Sequence, residues 1–322
     1  MSAPGRPKGE FRSAQHEGTP VSAREHCLQF DCAGSPLVGI VAQPALPARV
    51  GVVIVVGGPQ YRVGSHRQFT LLARRMAAAG FAALRFDCRG MGDSAGPARD
   101  FLSIDEDIGA AIAALRRDQP TLQKVALWGL CDAASAALLY AHGRAPRDLG
   151  GLCLLNPWVR SAQSQATAQV KHYYLQRLMA PAFWRKLARG EVGLGRLGEL
   201  AGNLSRMLVG RRHSAAAGSH LGFQQQMARA WQRVECPLLL ILSGRDLTAK
   251  EFTDTLASDP AWRGALTRKA LTRVDLPDAD HTFSDPAMQL AVEQATLDWL
   301  NVLAEAEASA GAWPPRAAGS GA

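Results

Sequence analysis

The sequence lacks long apolar segments and the usual signatures of metal or nucleotide binding. No apolar run in its 322 residues approaches the length of a membrane-spanning helix. The first 22 residues contain no apolar core of the kind found in secretory signals, so we expect a cytoplasmic protein. The six cysteines form no C-x-x-C pair, which indicates reduced thiols rather than disulfides. Neither metal-ligand spacing nor a phosphate-binding loop is apparent, and we expect no metal and no cofactor.

Acidic residues are scarce in one segment, residues 160–233. This segment carries twelve Lys and Arg against two Glu, a net charge of +10, whereas the whole chain carries +8. It fits a solvated helical surface, and it equally fits a site for an anionic acyl donor, a polysaccharide or the anionic face of the inner membrane. Tyr173, Tyr174, Phe183 and Trp184 beside basic residues would suit an interfacial helix. No nucleic-acid-binding motif accompanies the charge, so we expect no nucleic-acid partner.

Apolar runs of strand length alternate with amphipathic helical patterns along most of the chain. The runs predicted as strands are 25–32, 36–43, 51–56, 81–86, 125–128, 149–155, 237–242 and 270–276. The first two are joined by a short link typical of a hairpin, and the others alternate with helices. This order predicts an α/β fold built on an eight-stranded, mostly parallel, doubly wound sheet.

The same pattern predicts the domain organisation. We expect the α/β core at residues 23–156 and 235–303, with a basic helical cap at 157–234 inserted between strands 6 and 7. Residues 1–22 are expected to form a disordered extension and residues 304–322 a flexible tail, because both are rich in small and polar residues.

The stretch 124–135, KVALWGLCDAAS, is the most informative part of the sequence. An apolar run leads into the turn GLCDA at 129–133, and small residues then begin a helix. Strand, tight turn and helix are the setting of the G-x-S-x-G nucleophile elbow, here with cysteine replacing serine and Ala133 replacing the second glycine. The turn would place the Cys131 sulfur at a helix N-terminus, where the helix dipole favours a thiolate. Alternatively, Cys131 is a buried cysteine of the core.

An acid and a histidine follow later strands in the order expected for a catalytic triad. Asp246 comes after the seventh predicted strand and His281 after the eighth. Together with Cys131 they would lie at the carboxyl ends of strands, where α/β sheets bind their ligands. His281 would act as base and acid, and Asp246 would orient it. Asp278 and Asp280 are rivals for Asp246 because they adjoin the histidine.

Two backbone N–H groups are candidates for an oxyanion hole. One belongs to Asp132, directly after the cysteine. The other would come from the loop after the third strand, where Pro59 has no N–H and Gln60 is therefore the better candidate. Candidate substrate-binding residues are His66, Arg67 and Trp158. The first two of these also fit the start of a surface helix.

The motifs GLCDA, DCRGMGDS, SGRD and DADH together resemble the α/β-hydrolase superfamily over roughly residues 25–303. The stretches NPWVR, KHYYLQRL and APAFWRKLARG look like exosortase A system-associated hydrolase 1. That family occurs in bacteria with PEP-CTERM protein sorting and exopolysaccharide export, so the resemblance implies a hydrolase fold and this setting, without a substrate. The Cys-His-Asp set is also similar to that of dienelactone hydrolase, and a cysteine elbow occurs in polyhydroxyalkanoate synthases.

A cysteine nucleophile favours esters, lactones and thioesters over amides, because a thiolate leaves the tetrahedral intermediate more readily than an amine does. We therefore expect hydrolysis of such a bond in a small-molecule or glycan-linked acyl substrate, through an acyl-enzyme on Cys131. An acyltransferase that passes the acyl group to a sugar hydroxyl is the nearest alternative, since the acceptor depends on water exclusion under the cap. A non-catalytic binding protein on a hydrolase scaffold is a third interpretation.

Overall fold

The computed structural model describes residues 24–58, 60–144, 149–160 and 222–310. Within these ranges the strands are β1 Arg24–Cys32, β2 Ser35–Gln43, β3 Val50–Val55, β4 Ala82–Phe86, β5 Lys124–Leu130, β6 Leu149–Leu155, β7 Leu238–Ser243 and β8 Leu271–Leu276. The α-helices are α1 Gln68–Ala78, α2 Asp105–Asp118, α3 Asp132–Arg144, α4 Phe223–Arg233, α5 Leu247–Ser258 and α6 Pro286–Ala310. None of these helices combines the length and the apolar character that spanning a membrane requires.

The strands form one sheet in the order β1-β2-β4-β3-β5-β6-β7-β8. Strand β2 is antiparallel to β1 and to β4, and the remaining neighbours are parallel. The predicted eight-stranded, mostly parallel sheet and its initial hairpin are therefore confirmed. Every residue of β3 and of β7 is buried, which explains their continuous apolar sequences: strands covered by helices on both faces have no solvent side.

Helices cover the two faces of the sheet and enclose two apolar cores. One core contains buried side chains of α2, α3, α4 and α5, such as Ile108, Leu138, Trp231 and Phe252. The other contains side chains of α1 and α6, such as Leu72 and Leu300. The sheet is thus doubly wound, as predicted, and its strand ends are free to carry loops.

Two boundaries differ from the prediction. Helix α4 lies in the range assigned to the cap, yet Met227 and Trp231 are fully buried in the core beside α3. Its apolar side chains recur every three to four residues on one face, which is the pattern of a helix that packs on the core. Helix α6 continues to Ala310 instead of ending at Leu303, because Ala and Glu, which follow Leu303, are strong helix formers. The rest of the predicted cap (161–221), the N-terminal extension and the last part of the tail lie outside the described residues.

Candidate active site

Cys131 occupies a strained turn between β5 and α3. Its φ of 63° is in the left-handed region, which residues other than glycine adopt rarely and mostly at functional positions. Hydrogen bonds hold the turn on both sides: the Cys131 N–H donates to the Leu155 carbonyl at 2.9 Å, and the Cys131 carbonyl accepts from Ala134 at 3.1 Å and Trp158 at 3.2 Å. A side chain at Gly129 would place its Cβ 2.6 Å from the Ala133 carbonyl oxygen. The turn therefore has the predicted elbow geometry, with the cysteine at the N-terminus of α3.

Asp246 is fixed by the start of helix α5. Its carboxylate accepts hydrogen bonds from the backbone N–H groups of Thr248 at 3.0 Å and Ala249 at 3.2 Å, as a helix N-cap does. The same carboxylate contacts the imidazole Nδ1 of His281 at 2.8 Å. Burial favours the neutral acid, but the bond to His281 and its positive charge, with the two backbone donors, outweigh this and lower the pKa of Asp246. The group is thus an ionised acceptor aimed at the histidine.

His281 lies in the loop between β8 and α6 and links the acid to the cysteine. The hydrogen bond to Asp246 and a second one to the Cys131 side chain raise its pKa to about 10, although partial burial opposes the charge. Because Asp246 engages Nδ1, Nε2 is the nitrogen that remains available to the sulfur. The structure therefore places Cys131 and His281 on the wall of one cavity, with Asp246 bonded to the far nitrogen of the imidazole.

The two rival acids are occupied elsewhere. Asp278 pairs with the guanidinium of Arg245 at 2.7 Å, and both side chains are exposed. Asp280 accepts hydrogen bonds from the backbone N–H groups of Thr282 and Ser284, at 3.1 and 2.9 Å, and another from the Ser284 hydroxyl. Neither carboxylate contacts the imidazole, so Asp246 is the partner of His281.

The loop that follows β3 lies against the elbow. The Gly58 N–H donates to the Asp132 carboxylate at 2.9 Å, and Gln60 lines the same cavity as Asp132 and Cys131. Burial raises the pKa of the Asp132 carboxyl, while the Gly58 and Ala133 N–H groups oppose that shift. The two predicted oxyanion-hole residues, Asp132 and Gln60, thus line the same cavity.

The buried carboxylate of Asp87 holds the C-terminal end of this loop. Asp87, which is fully buried after β4, accepts the Arg62 N–H at 2.6 Å and also binds the Arg62 guanidinium. The Arg62 guanidinium also donates a hydrogen bond of 2.6 Å to the exposed carboxylate of Asp93. Residues Asp87 and Asp93 belong to the glycine-rich turn DCRGMGDS, which therefore supports the loop after β3.

A cavity of about 350 Å³ opens beside the sulfur. Its lining is Gly57, Gly58, Gln60, Phe69, Phe101, Leu130, Cys131, Asp132, Trp158 and His281. Three aromatic rings and Leu130 make the walls apolar, and the polar groups are concentrated around the cysteine. This combination of an apolar recess and a few convergent polar groups is typical of small-molecule sites.

The predicted substrate-binding residues take different places. Trp158 lines the cavity, and its ring lies 4.9 Å from the guanidinium carbon of Arg160. His66 and Arg67 are exposed at the start of α1 and do not belong to the cavity lining formed by the described residues. Both have positive φ, 43° and 64°, and His66 Nε2 lies 3.4 Å from the Thr282 carbonyl oxygen, next to His281. Their alternative placement, at the start of a surface helix, matches the structure.

Sequence reasoning did not identify two aromatic walls of the cavity. Phe69 lies on the buried face of α1, and Phe101 lies in the loop before α2. An apolar residue at a helix start or in a loop is usually part of the core, so nothing in a single sequence marks these two. The placement of Phe101 depends on a long-range contact with Phe223, whose ring centre lies 5.4 Å away.

Comparisons with known proteins bear on the fold and the family. No protein among those with curated functions matches the sequence. Solved structures match closely in fold: an esterase of Pyrococcus furiosus, 14% identical, covers 93% of this chain and 99% of its own with a TM-score of 0.58. Dienelactone hydrolase from Anabaena variabilis, 16% identical, covers 87% and 98% with a TM-score of 0.56. Est1E from Butyrivibrio proteoclasticus, determined with ferulic acid bound, is 15% identical, covers 85% and 99% and has a TM-score of 0.54.

At these identities the structural matches establish the α/β-hydrolase fold. The sequence profile of the serine aminopeptidase S33 family matches residues 48–259, about two thirds of the chain, and this range contains both the elbow and Asp246. The chain is an α/β-hydrolase enzyme that belongs to the serine aminopeptidase S33 family.

Proposed function

We propose that the protein hydrolyses an ester, lactone or thioester through an acyl-enzyme on Cys131, with His281 and Asp246 as its catalytic partners. The observation that carries this proposal is the continuous row from the sulfur through the imidazole to the carboxylate, with a 2.8 Å contact between His281 Nδ1 and Asp246. A nucleophile, a base within hydrogen-bond reach and a third group that orients the base are the parts that covalent acyl transfer needs.

The raised pKa of His281 suits a thiolate–imidazolium pair in the resting enzyme. The thiolate attacks the acyl carbon, the Sγ–C bond forms, and the backbone N–H groups of Asp132 and Gln60 stabilise the negative oxygen. When the bond to the leaving group breaks, the imidazolium gives its proton to the departing oxygen or sulfur. The product of this half-reaction is an acyl-enzyme and a neutral imidazole.

In deacylation the same histidine accepts a proton instead of donating one. Once Cys131 is acylated, its sulfur no longer raises the pKa of His281, so the imidazole becomes available as a base. It takes a proton from water, the hydroxide oxygen bonds to the acyl carbon, and the thiolate leaves. Asp246 keeps the imidazole oriented and stabilises its charged form in both steps.

The cavity supports a neutral, apolar acyl group. Apart from the proposed Cys131 thiolate, the formal charges among the described lining residues are those of Asp132 and His281, and no Lys or Arg belongs to this lining. A carboxylate on the acyl group would therefore meet Asp132 without a cation dedicated to it. The anionic substrate considered from the basic segment depends on residues 161–221, which lie outside the described ranges.

We also propose that the enzyme acts in exopolysaccharide export or the associated protein sorting. The support is sequence resemblance to exosortase A system-associated hydrolase 1 in NPWVR and in two stretches within 171–190. Peripheral contact with the inner membrane through the basic segment would fit this setting.

The test is a rapid-mixing assay with nitrophenyl butyrate, followed by mass spectrometry of the quenched protein. We expect a burst of nitrophenol and one butyryl adduct on Cys131 in the wild type. Cys131→Ala should lose both, with turnover reduced at least about 10³-fold. Cys27→Ala is the matched control, because Cys27 is an exposed thiol on β1 far along the chain from the elbow. An adduct that persists in Cys131→Ala, or no adduct with any ester or thioester, would refute the proposal.

A further inference from the structure

The side chain of Asp132 has a role that its backbone position does not explain. Asp132 is the first residue of α3, and its carboxylate turns back toward the loop after β3. One oxygen accepts the Gly58 N–H at 2.9 Å and the other accepts the Ala133 N–H at 3.0 Å. The carboxylate therefore joins the elbow to a loop that lies 74 residues earlier in the chain.

The loop is shaped to receive this carboxylate. A Cβ at Gly57 would lie 2.0 Å from Asp132 Oδ1 and 2.8 Å from the Ala133 nitrogen, so only glycine fits there. Gly58 has φ +58°, the conformation that glycine adopts without strain, and its N–H is directed at the carboxylate. Gly57 and Gly58 thus form a recess that holds the Asp132 side chain.

The hydrogen bonds of the Asp132 carboxylate also determine which backbone N–H groups remain available to a substrate. Gly58 donates to Asp132 and Ala133 donates to the same carboxylate, so neither N–H is directed at an incoming acyl group. Pro59 has no backbone N–H. Gln60 is a residue of this loop whose N–H is not taken by the Asp132 carboxylate and can face an oxyanion, and its position relative to the elbow depends on how the neighbouring glycines are held.

We propose that Asp132 is a positioning residue whose carboxylate fixes Gly57 and Gly58 against the elbow and thereby sets the spacing between the Asp132 and Gln60 N–H groups of the oxyanion hole. This inference rests on the proposed acyl-enzyme function. Arg62 and Asp87 hold the other end of the same loop, so a carboxylate anchors it at each end. The positive charge of His281 offsets the electrostatic cost of a carboxylate beside a developing oxyanion.

Two reactions of Cys131 separate this role from a general structural one. Acylation by nitrophenyl butyrate passes through a tetrahedral oxyanion and needs the hole. Alkylation by iodoacetamide forms an Sγ–C bond while iodide leaves from a saturated carbon, and no oxyanion develops. Both reactions need the reactive sulfur and its histidine, so a loss confined to acylation isolates the oxyanion hole.

The experiment compares the two rates in wild type, Asp132→Ala and Asp132→Asn. For Asp132→Ala we expect acylation to fall at least about tenfold, since losing one oxyanion donor costs about 10²–10³-fold, while alkylation changes less than about twofold. Asp132→Asn keeps an oxygen that can accept from Gly58, so it should recover at least about a third of the wild-type acylation rate. Equal losses of acylation and alkylation in Asp132→Ala, or unchanged acylation, would overturn the proposal.

Hydrogen exchange keeps the inference testable apart from the chemistry. Amides in the peptide 57–62 should exchange faster in Asp132→Ala than in wild type or Asp132→Asn, because the anchor is lost. Unchanged exchange would overturn the proposal even if the wild type were not acylated. A wild type that is alkylated but not acylated by any ester or thioester would instead refute the proposed function, and the two failures are thereby distinguished.

Discussion

Asn156 and Ser243 exchange two hydrogen bonds of 2.9 Å across the carboxyl ends of β6 and β7. The Asn156 amide nitrogen donates to the Ser243 hydroxyl, and the Ser243 N–H donates to the Asn156 carbonyl oxygen. Both residues are almost completely buried. Asn156 follows Leu155, which binds the elbow, and Ser243 precedes the turn that carries Asp246. The pair therefore ties the nucleophile turn to the acid turn.

Asn156→Ala should destabilise the protein by about 2–4 kcal/mol, because it leaves the buried N–H and hydroxyl of Ser243 without partners. Asn156 also has φ +44°, which asparagine tolerates better than alanine. Ser243→Ala is the control: it keeps the backbone bond and should cost only about 1–2 kcal/mol. Urea unfolding measures both. Equal costs for the two variants would show that the backbone bond contributes little.

Gly129 and Gly143 should respond to alanine with opposite signs. A Cβ at Gly129 would meet backbone atoms of Ala133 and Ala134 at 2.6–2.8 Å, and backbone cannot move aside cheaply. Gly129→Ala is therefore expected to cost about 2 kcal/mol or more and to lower the burst amplitude. A Cβ at Gly143, in the last turn of α3, would meet nothing within 4 Å, so Gly143→Ala should stabilise by up to about 0.5 kcal/mol. Destabilisation by Gly143→Ala would contradict this account of the two sites.

Much of the fold is predictable because local patterns determine it. Buried strands such as β3 and β7 are continuous apolar runs, and helices between them have amphipathic spacing. Strand ends then place Cys131, Asp246 and His281 at one edge of the sheet, since parallel strands share their carboxyl ends. The fold class and the chain order of these three candidate residues follow from these regularities alone.

What the sequence does not predict depends on side chains that meet across long chain separations. The Asp132–Gly58 bond joins residues 74 positions apart, and the Asn156–Ser243 pair joins residues 87 positions apart. Polar residues of these types are common in turns, so their spacing carries no signal about such partners. Helix α4 falls within the predicted cap range for a related reason: its apolar face identifies a buried helix but not the surface that it packs on.

Arg62 has one buried and one exposed acidic partner, and removing the buried one should reduce the unfolding free energy more. Asp87→Ala leaves the Arg62 guanidinium without its buried counter-charge and removes acceptors for two backbone N–H groups. We expect a loss of about 3–5 kcal/mol in unfolding free energy. Asp93 is 66% exposed, and Asp93→Ala should cost less than about 1 kcal/mol. Chemical denaturation of both variants is the measurement, and similar costs would contradict the assigned difference in burial.

The pH dependence of stability should reveal the raised pKa of His281. The hydrogen bonds to Asp246 and Cys131 raise that pKa from an unfolded value of about 6.5 to about 10. A folded state that holds the proton more tightly gains stability that is complete below about pH 6.5 and is lost as the pH rises toward 10. Unfolding free energy should therefore fall across this window. The effect is reduced by solvent, because the imidazole is 36% exposed.

This measurement is cleanest without the thiol. In Cys131→Ala the contribution of the sulfur to the raised pKa of His281 is lost, so the fall should end below pH 10. Adding His281→Gln should remove the fall that belongs to this residue and flatten the curve between pH 6.5 and 10. Identical pH profiles for the single and the double variant would show that the imidazole gains no proton affinity on folding.

Phe101 should control the length of acyl group that the enzyme accepts. Its ring lines the cavity and packs edge-to-face against Phe223, which lies outside that lining. Phe101→Ala is expected to enlarge the apolar recess, and each additional buried methylene contributes about 0.8 kcal/mol. The ratio of kcat/KM for nitrophenyl octanoate to that for nitrophenyl acetate should then rise at least about tenfold. Phe223→Ala, which loosens Phe101 without removing a wall, should raise the ratio less. An unchanged ratio in Phe101→Ala would show that the acyl chain binds elsewhere and that the apolar recess binds the leaving group.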